Sequence, residues 1–384
     1  MKVIQVFNRY LNFGGEENSV NRIAEHLQEH GVSVTRFIRS SEEWTNPSLL
    51  DKAKQPFKLI YNKELLSDLK DLQEREQADY WLLHNILPVI SVGVYAMAEE
   101  LGVKVVQMLH NYRPLSISGS LRVKDTQLTT VSRFIHEREA FAGAWRGIFP
   151  SIALYVAYKY AKWSNWFDSV YCWVAVSKKM ADNFKAADFY PDKLTYCRHS
   201  WNISDCIDTY EKDANTFLYL GRLLPEKGIF FLLDLFSTEG MQDYKLKIAG
   251  SGDMERKVIE YVENMANVEY LGWIKGDEKK HAIRTATAVL FPSLWEEPLS
   301  TVAYESYEQE TCLISSDAGG MTEIVLDSQT GLVVSAGDVE EWSTAIKYLC
   351  ANRRYLEYGR SARRWLDDNV SSEIWFERFM KIIE

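Results

Sequence analysis

The chain has 384 residues, enough for two ordinary domains, and its 46% hydrophobic and 26% charged residues are a globular composition. A formal net charge of −10 excludes a general nucleic-acid binder, so an anionic ligand would have to meet a local basic patch. Cys172, Cys197, Cys206, Cys312 and Cys350 are scattered without C-x-x-C spacing, which reads as reduced, cytoplasmic thiols and excludes a structural zinc site.

A compact apolar run, KVIQVF, predicts the first strand. It is too short, and too soon followed by polar residues, to read as a secretory leader. A glycine turn, NFGGEEN, and an amphipathic segment, SVNRIAEHLQEHG, lead to a second strand, VSVTRFI. DYWLLHN and VKVVQMLHN read as later strands, separated by the helical VISVGVYAMAEELG. Residues 112–132 lack periodicity, the mark of a functional or mobile loop. SIALYVAYKYAKW then reads as a helix and VYCWVAVS as a strand. No stretch reaches the ~18 apolar residues of a membrane span. The nearest, IFPSIALYVAYKYAKW, is interrupted by Pro150, Lys159 and Lys162.

Residues 199–215 are polar and mark a domain junction. A second alternating series follows: TFLYLGRL, YKLKIAGSGD, VEYLGWI, TAVLFPS, TCLISSDAGG and TGLVV. The chain closes on an amphipathic segment, EIWFERFMKIIE. Such alternation predicts βα units and mostly parallel sheets. The expectation is an α/β chain with two doubly wound domains facing a cleft: 1–200, 201–365, and a terminal helix at 366–384 that returns to the first domain. Ligands of such sheets sit at the carboxyl ends of the strands.

In WEEPLSTVAYE, Pro298 suits the first position of a helix, because its missing N–H would be unbonded there anyway. That places Glu297 beside the N-cap and leaves the amides of Leu299, Ser300, Thr301 and Val302 as donors for a phosphate. Glu305, two turns on and roughly 80° around the axis, would accept sugar hydroxyls at the far end of the same ligand. The bland alternative is a capped helix with solvated glutamates. In LGRLLPEKG, Arg222 follows a strand and Lys227 opens a helix, a guanidinium fork and an ammonium suited to a diphosphate. A surface salt-bridge set is the equally open reading of either residue alone.

Taken together, G-R-x-x-x-E-K-G, AGSGD, LGW, FPS and E-x7-E resemble the family-four retaining glycosyltransferases. The first half agrees: NFGGEE is similar to that family's N-terminal glycine loop, and VVQMLHNYRP to its His-bearing strand end. The resemblance runs from Gly14 to about Val334 and implies the GT-B fold. It implies Arg222 and Lys227 on the diphosphate of a nucleotide sugar, Glu305 on the ribose, Glu297 on the transferred sugar, and amides around Thr301 and Val302 on phosphate. Gly14 and Gly15 would let backbone approach the phosphate, Trp273 and Ile274 would border the base, and His110 would face the sugar, with Asn111, Tyr112 and Arg113 on the acceptor side. His84, in a similar LLHN context, reads as a hydrogen-bonded core residue. Two departures stand out. Leu299-Ser300 replaces the family's frequent Phe-Gly, which alters the sugar pocket, and no cysteine lies between Asn111 and Val170 to hold a metal in that loop.

The implied activity is transfer of a hexose with retention from a UDP- or GDP-sugar to a glycan or lipid-linked saccharide, in surface polysaccharide or glycolipid synthesis. No separate cofactor is expected. The chain contains no D-x-D, and Arg222 with Lys227 supplies positive charge, so no metal is expected either. The location implied is cytoplasmic. Aromatics and basic residues mixed in 141–167 suit the inner face of the cell membrane, although apolar residues at helical spacing equally suit a core. A sugar-nucleotide epimerase or hydrolase, or a non-catalytic nucleotide-sugar binder, is the alternative. A Rossmann dehydrogenase is disfavoured, since no G-x-G-x-x-G follows the first strand.

Overall fold

β1 (Lys2–Arg9) buries six consecutive side chains, Val3 to Asn8, as a parallel strand covered on both faces must. The chain is described from a computed structural model at residues 1–11, 14–123, 126–127, 135–204 and 210–384. β1 pairs in parallel with β2 (Ser33–Ser40) on one side and with β3 (Tyr80–Leu83) on the other. β4 (Lys104–Leu109) extends the sheet beyond β3. A short antiparallel pair, β5 (Arg122–Val123) and β6 (Thr126–Gln127), follows outside it. β7 (Cys172–Ala175) and β8 (Leu194–Tyr196) complete the order β2-β1-β3-β4-β7-β8.

The second sheet repeats the plan. β9 (Asp213–Leu220) is flanked by β10 (Lys245–Ala249) and, through it, β11 (Val268–Gly272). On its other side lie β12 (Ala286–Phe291), β13 (Leu313–Ser316) and β14 (Gly331–Val334). The order is β11-β10-β9-β12-β13-β14, all parallel. Each sheet has a point where the order reverses, between β1 and β3 and between β9 and β12. A crevice opens there at the carboxyl ends of the strands.

The chain divides into two compact units, Met1–Ser200 with Ser372–Glu384, and Trp201–Ser371. The helix Tyr355–Val370 closes the second unit, so residues 366–371 do not belong to the terminal helix the sequence pattern outlined. The helix Ser372–Ile383 places Trp375, Phe379 and Ile383 in the first unit's core with Val3, Leu27 and Met108. Tyr80 donates from its hydroxyl to the Ile383 carbonyl at 2.7 Å. The core of the second unit gathers Phe217, Leu232, Phe236, Ile248, Leu290 and Trp342.

Three local readings change. The stretch VISVGVYAMAEELG is helical only over Val94–Glu100, because Ser91 adopts φ 93° and Asn62 donates to the Val89 carbonyl at 2.7 Å. Two helices, Leu49–Ile60 and Lys63–Glu76, stand where the sequence reading names no element. The helix Ile148–Trp163 buries Leu154, Ala157, Tyr158 and Ala161 yet exposes Phe149, Val156, Tyr160 and Trp163, so it is apolar on two faces. Cys206, most of the unperiodic loop beyond Val123, and the centre of the predicted junction lie outside the described residues.

Candidate functional site

In the second unit the site grows from the exit of β9. Tyr219 is buried, and its hydroxyl donates to the Arg222 carbonyl at 2.8 Å, fixing the turn. Burial and the nearby Glu297 charge push the Tyr219 hydroxyl well above its ordinary range, so it stays protonated. A 3-10 turn, Pro225–Lys227, follows, and Gly228 then takes φ 75° before the helix Ile229–Ser237. A Cβ on Gly228 would meet the Pro292 carbonyl oxygen at 2.0 Å, so the turn lies directly against the exit of β12.

That contact delivers Lys227 to Glu297. Lys227 Nζ stands 2.5 Å from Glu297 Oε2, with side-chain exposures of 15% and 8%. Trp295 Nε1 donates to the same oxygen at 2.7 Å and the Ser293 hydroxyl approaches it at 3.5 Å. The ammonium also lies 5.1 Å from the Trp295 ring centroid. Glu297 Oε1 makes no hydrogen bond to a described residue and remains an acceptor for a ligand. Arg222 is exposed, and its guanidinium has no hydrogen bond or ion pair among the described residues. A preformed cation–anion pair thus stands at the order reversal of the sheet, with Arg222, which has no side-chain partner among the described residues, on the same segment as Lys227.

The helix predicted at Pro298 begins instead at Val302 and runs to Glu308, with Thr301 as its N-cap. The cause is long-range. Gly320 donates its N–H to the Glu297 carbonyl at 2.8 Å, and Glu297 is held by Lys227 and Trp295, so the backbone around Pro298 serves those contacts. Glu297 is therefore no N-cap neighbour. The Val302 amide reaches its own segment's Ser300 hydroxyl at 3.4 Å, Ser300 and Thr301 are half-buried, and Leu299 is buried. Glu305 lies on the short helix with Lys279 Nζ 3.1 Å away. Trp273 is exposed and Ile274 buried at the exit of β11, two strands from β9, about 10 Å away at ordinary strand spacing. The structure thus joins Lys227 to Glu297, and it sets Trp273 and Ile274 apart from that pair.

Sequence reasoning missed Trp295 and Gly319. Gly319 takes φ 60°, and a Cβ there would meet the Glu297 carbonyl oxygen at 2.2 Å. The signal was available in the paired glycines of DAGG after β13. Gly319→Ala is expected to displace Glu297 and to destabilise the chain by about 2–4 kcal/mol, from steric overlap plus a left-handed non-glycine residue. Denaturant unfolding measures this, and a midpoint equal to wild type would contradict it.

In the first unit, His110 follows β4 and His84 follows β3. His84 Nδ1 and His110 Nε2 are 2.9 Å apart, His84 Nε2 lies 3.1 Å from Gln5 Nε2, and the His199 ring stacks on His110 at 5.5 Å. His84 is a core residue, and its partner is His110 itself. Burial lowers the His110 imidazole to about 3 and pushes His84 and His199 well down, so the three rings are neutral. Tyr112 is fully buried against Phe184 and its hydroxyl accepts from Asn183, which makes it a packing residue. Gly14 precedes the helix Gly15–Glu29, and a Cβ on Gly14 would meet nothing within 4 Å. Asn12 and Phe13 of the glycine loop lie outside the described residues.

Tyr10, Glu16 and His199 were not singled out from the sequence. The Tyr10 hydroxyl donates to Glu16 Oε2 at 3.0 Å and accepts from Asn111 Nδ2 at 3.2 Å. Burial raises the Glu16 carboxyl from 4.5 to about 7 against the opposing Tyr10 hydrogen bond and Arg113 charge. The raised value means that the folded chain holds this proton more tightly than the unfolded chain. The burial penalty is absent below pH 4.5, grows up to about pH 7 and is complete above it. Glu16→Gln is therefore expected to gain roughly 2–3 kcal/mol over wild type at pH 8 and nothing near pH 4.5. Parallel unfolding curves at the two pH values check this, and a pH-independent difference would contradict it.

Residues 208–365 match the family described as Glycosyl transferases group 1. An uncharacterized glycosyltransferase of Methanocaldococcus jannaschii is 29% identical over 156 residues, covering 38% of this chain and 39% of that protein. A phosphatidyl-myo-inositol mannosyltransferase of Mycobacterium leprae is 29% identical over 168 residues, covering 42% of this chain and 45% of that protein. The chain thus spans less than half the length of these curated relatives. Among solved structures, sucrose-phosphate synthase from Thermosynechococcus elongatus superposes with a TM-score of 0.72 at 16% identity, covering 100% of this chain and 98% of that one. Anabaena HepE in complex with UDP superposes at 0.67 with 13% identity, covering 100% and 99%. The chain has the GT-B fold, and within it residues 208–365 match the Glycosyl transferases group 1 family.

Proposed function

We propose that the chain is a glycosyltransferase that moves a hexose, with retained anomeric configuration, from a UDP- or GDP-sugar to a hydroxyl of a glycan or lipid-linked saccharide. The observation that carries this is the Lys227–Glu297 pair at the order reversal of the second sheet, on the same segment as Arg222, which is unpartnered among the described residues. Arg222 and Lys227 hold the diphosphate, and Glu297 Oε1 accepts a sugar hydroxyl. As the C1–O bond to phosphate breaks, its electron pair leaves with the diphosphate, whose charge the two cations offset. The acceptor oxygen bonds to C1 on the same face, and its proton passes to the departing phosphate. Glu297 is a poor nucleophile here, because Lys227 and Trp295 both engage its Oε2. Glu305, with Trp273 and Ile274, serves the nucleoside end; His110, Gly14 and Gly15 are the first unit's own candidates for sugar and phosphate.

A thermal-shift screen over UDP-, GDP- and ADP-sugars tests the reading, since a bound donor stabilises the folded state. NMR of the product then gives the anomeric configuration. A shift with UDP- or GDP-sugar and a retained product is expected, with turnover persisting in chelator. Absence of any nucleotide shift, an inverted product, or strict magnesium dependence would contradict it, and nucleotide release without an acceptor would favour a hydrolase.

The same reading takes the exposed face of the helix Ile148–Trp163 to the membrane. Phe149 and Trp163 are 87% and 79% exposed, Leu49, Leu50 and Phe57 are exposed on the adjoining helix Leu49–Ile60, and Lys52, Lys54, Lys159 and Lys162 flank them. No described helix is long and apolar enough to cross a membrane. Flotation with anionic vesicles is expected and should be lost in Phe149→Ser/Trp163→Ser. Equal recovery of both proteins with the vesicles would contradict this contact.

A further inference from the structure

A chain of donors and acceptors begins at Gln5, fully buried inside β1, and ends at His110. Gln5 Nε2 lies 2.8 Å from the Val20 carbonyl oxygen and 3.1 Å from His84 Nε2. A carbonyl oxygen only accepts, so the amide atom facing it is the nitrogen. The reversed amide would set its oxygen against that carbonyl. It would also leave both N–H groups buried and unpaired, because the Oε1 position meets no partner among the described residues. The two amide hydrogens therefore go to the Val20 carbonyl and to His84 Nε2, which accepts and carries no proton.

The rest follows ring by ring. With Nε2 bare, His84 carries its proton on Nδ1, which stands 2.9 Å from His110 Nε2. That bond makes His110 Nε2 an acceptor as well, so His110 carries its own proton on Nδ1. His110 Nδ1 is buried and has no hydrogen-bond partner among the described residues. The His199 ring does not take it, because the two rings stack at 8° with centroids 5.5 Å apart and present faces to each other. A second proton on either ring would set two N–H groups against each other, at Gln5 for His84 and at His84 for His110. His110 thus has one N–H to offer and no free lone pair.

We infer that Gln5 and His84 are positioning residues that hold His110 as its Nδ1–H tautomer, so that His110 meets a ligand as a hydrogen-bond donor and not as a base. The tautomer stands on hydrogen-bond geometry alone, while its use in sugar transfer rests on the glycosyltransferase reading. A fixed neutral donor can stabilise negative charge that gathers on an oxygen, but it cannot take the proton of an acceptor hydroxyl. Neither Gln5 nor His84 need touch the ligand, since both act through His110.

NMR of the full chain with isotopically labelled histidine nitrogens separates protonated from bare ring nitrogens, and loss of signals in His110→Asn assigns that ring. In ligand-free wild type, His84 and His110 are each expected to favour the Nδ1–H form over the Nε2–H form by about tenfold or more. Gln5→Leu, which reaches His110 only through His84, should bring both ratios below about twofold. His84→Phe should do the same for His110 and serves if the leucine variant does not fold. With a nucleotide sugar that wild type turns over, both variants should lose about tenfold in kcat while binding UDP or GDP as wild type does. A wild-type His110 protonated on Nε2, or an Nδ1–H preference that survives both substitutions, overturns the inference without reference to any ligand. Mixed tautomers with unchanged turnover overturn the positioning role. Failure of wild type to bind or use any nucleotide sugar sinks the glycosyltransferase reading, and the ligand-free spectra still decide the tautomer.

Discussion

Replacing Lys227 by methionine is expected to destabilise the chain by about 3–5 kcal/mol, because it strands the buried Glu297 carboxylate with Trp295 and Ser293 as its remaining donors. Glu297→Gln alone strands the ammonium and should also destabilise, though less, since Lys227 is the more exposed partner. The double variant, Lys227→Met with Glu297→Gln, removes both charges and should recover most of the loss. Turnover should not recover, because both the diphosphate cation and the sugar acceptor are gone. Each of the three variants is expected to lose at least about 10²–10³ in turnover. A double-mutant cycle on unfolding free energies isolates the pair. Additive single effects would show that the two side chains are independent in solution.

Arg222→Ala should separate catalysis from stability in the opposite way. The guanidinium is exposed and unpartnered among the described residues, and Tyr219 grips the Arg222 carbonyl, which alanine retains. Stability should stay within about 0.5 kcal/mol of wild type. Turnover should fall by about 10²–10³, as expected when a charge aimed at a departing phosphate is removed. Arg222→Lys should recover only part of it, since an ammonium cannot make the two parallel hydrogen bonds of a guanidinium fork. Unchanged turnover in Arg222→Ala would remove Arg222 from the diphosphate site.

The alternation of apolar runs and glycine turns made the two parallel sheets legible, because a strand buried on both faces leaves a near-continuous apolar stretch such as VIQVF, broken only by the buried Gln5. The order of strands was not legible, and the order places both crevices. Pro298 misled for a related reason. Its local preference for a helix start gives way to contacts that Glu297 makes with Lys227, 70 residues earlier, and with Gly320. The histidines show the same limit: His84 and His110 were weighed singly, yet they are partners across 26 residues. Glu16 stood unread in GGEE, since only the fold brings it to Tyr10 and Asn111. By contrast, the helix Lys63–Glu76 carries a readable signal, Leu66, Leu69 and Leu72 on one buried face, that the reading passed over.

The account turns on where a nucleoside diphosphate binds. A structure of the chain with UDP or GDP is predicted to show phosphate oxygens within about 3 Å of Lys227 Nζ and of the Arg222 guanidinium. A nucleotide seated elsewhere, with Lys227 still bound to Glu297 alone and Arg222 still in solvent, would contradict it.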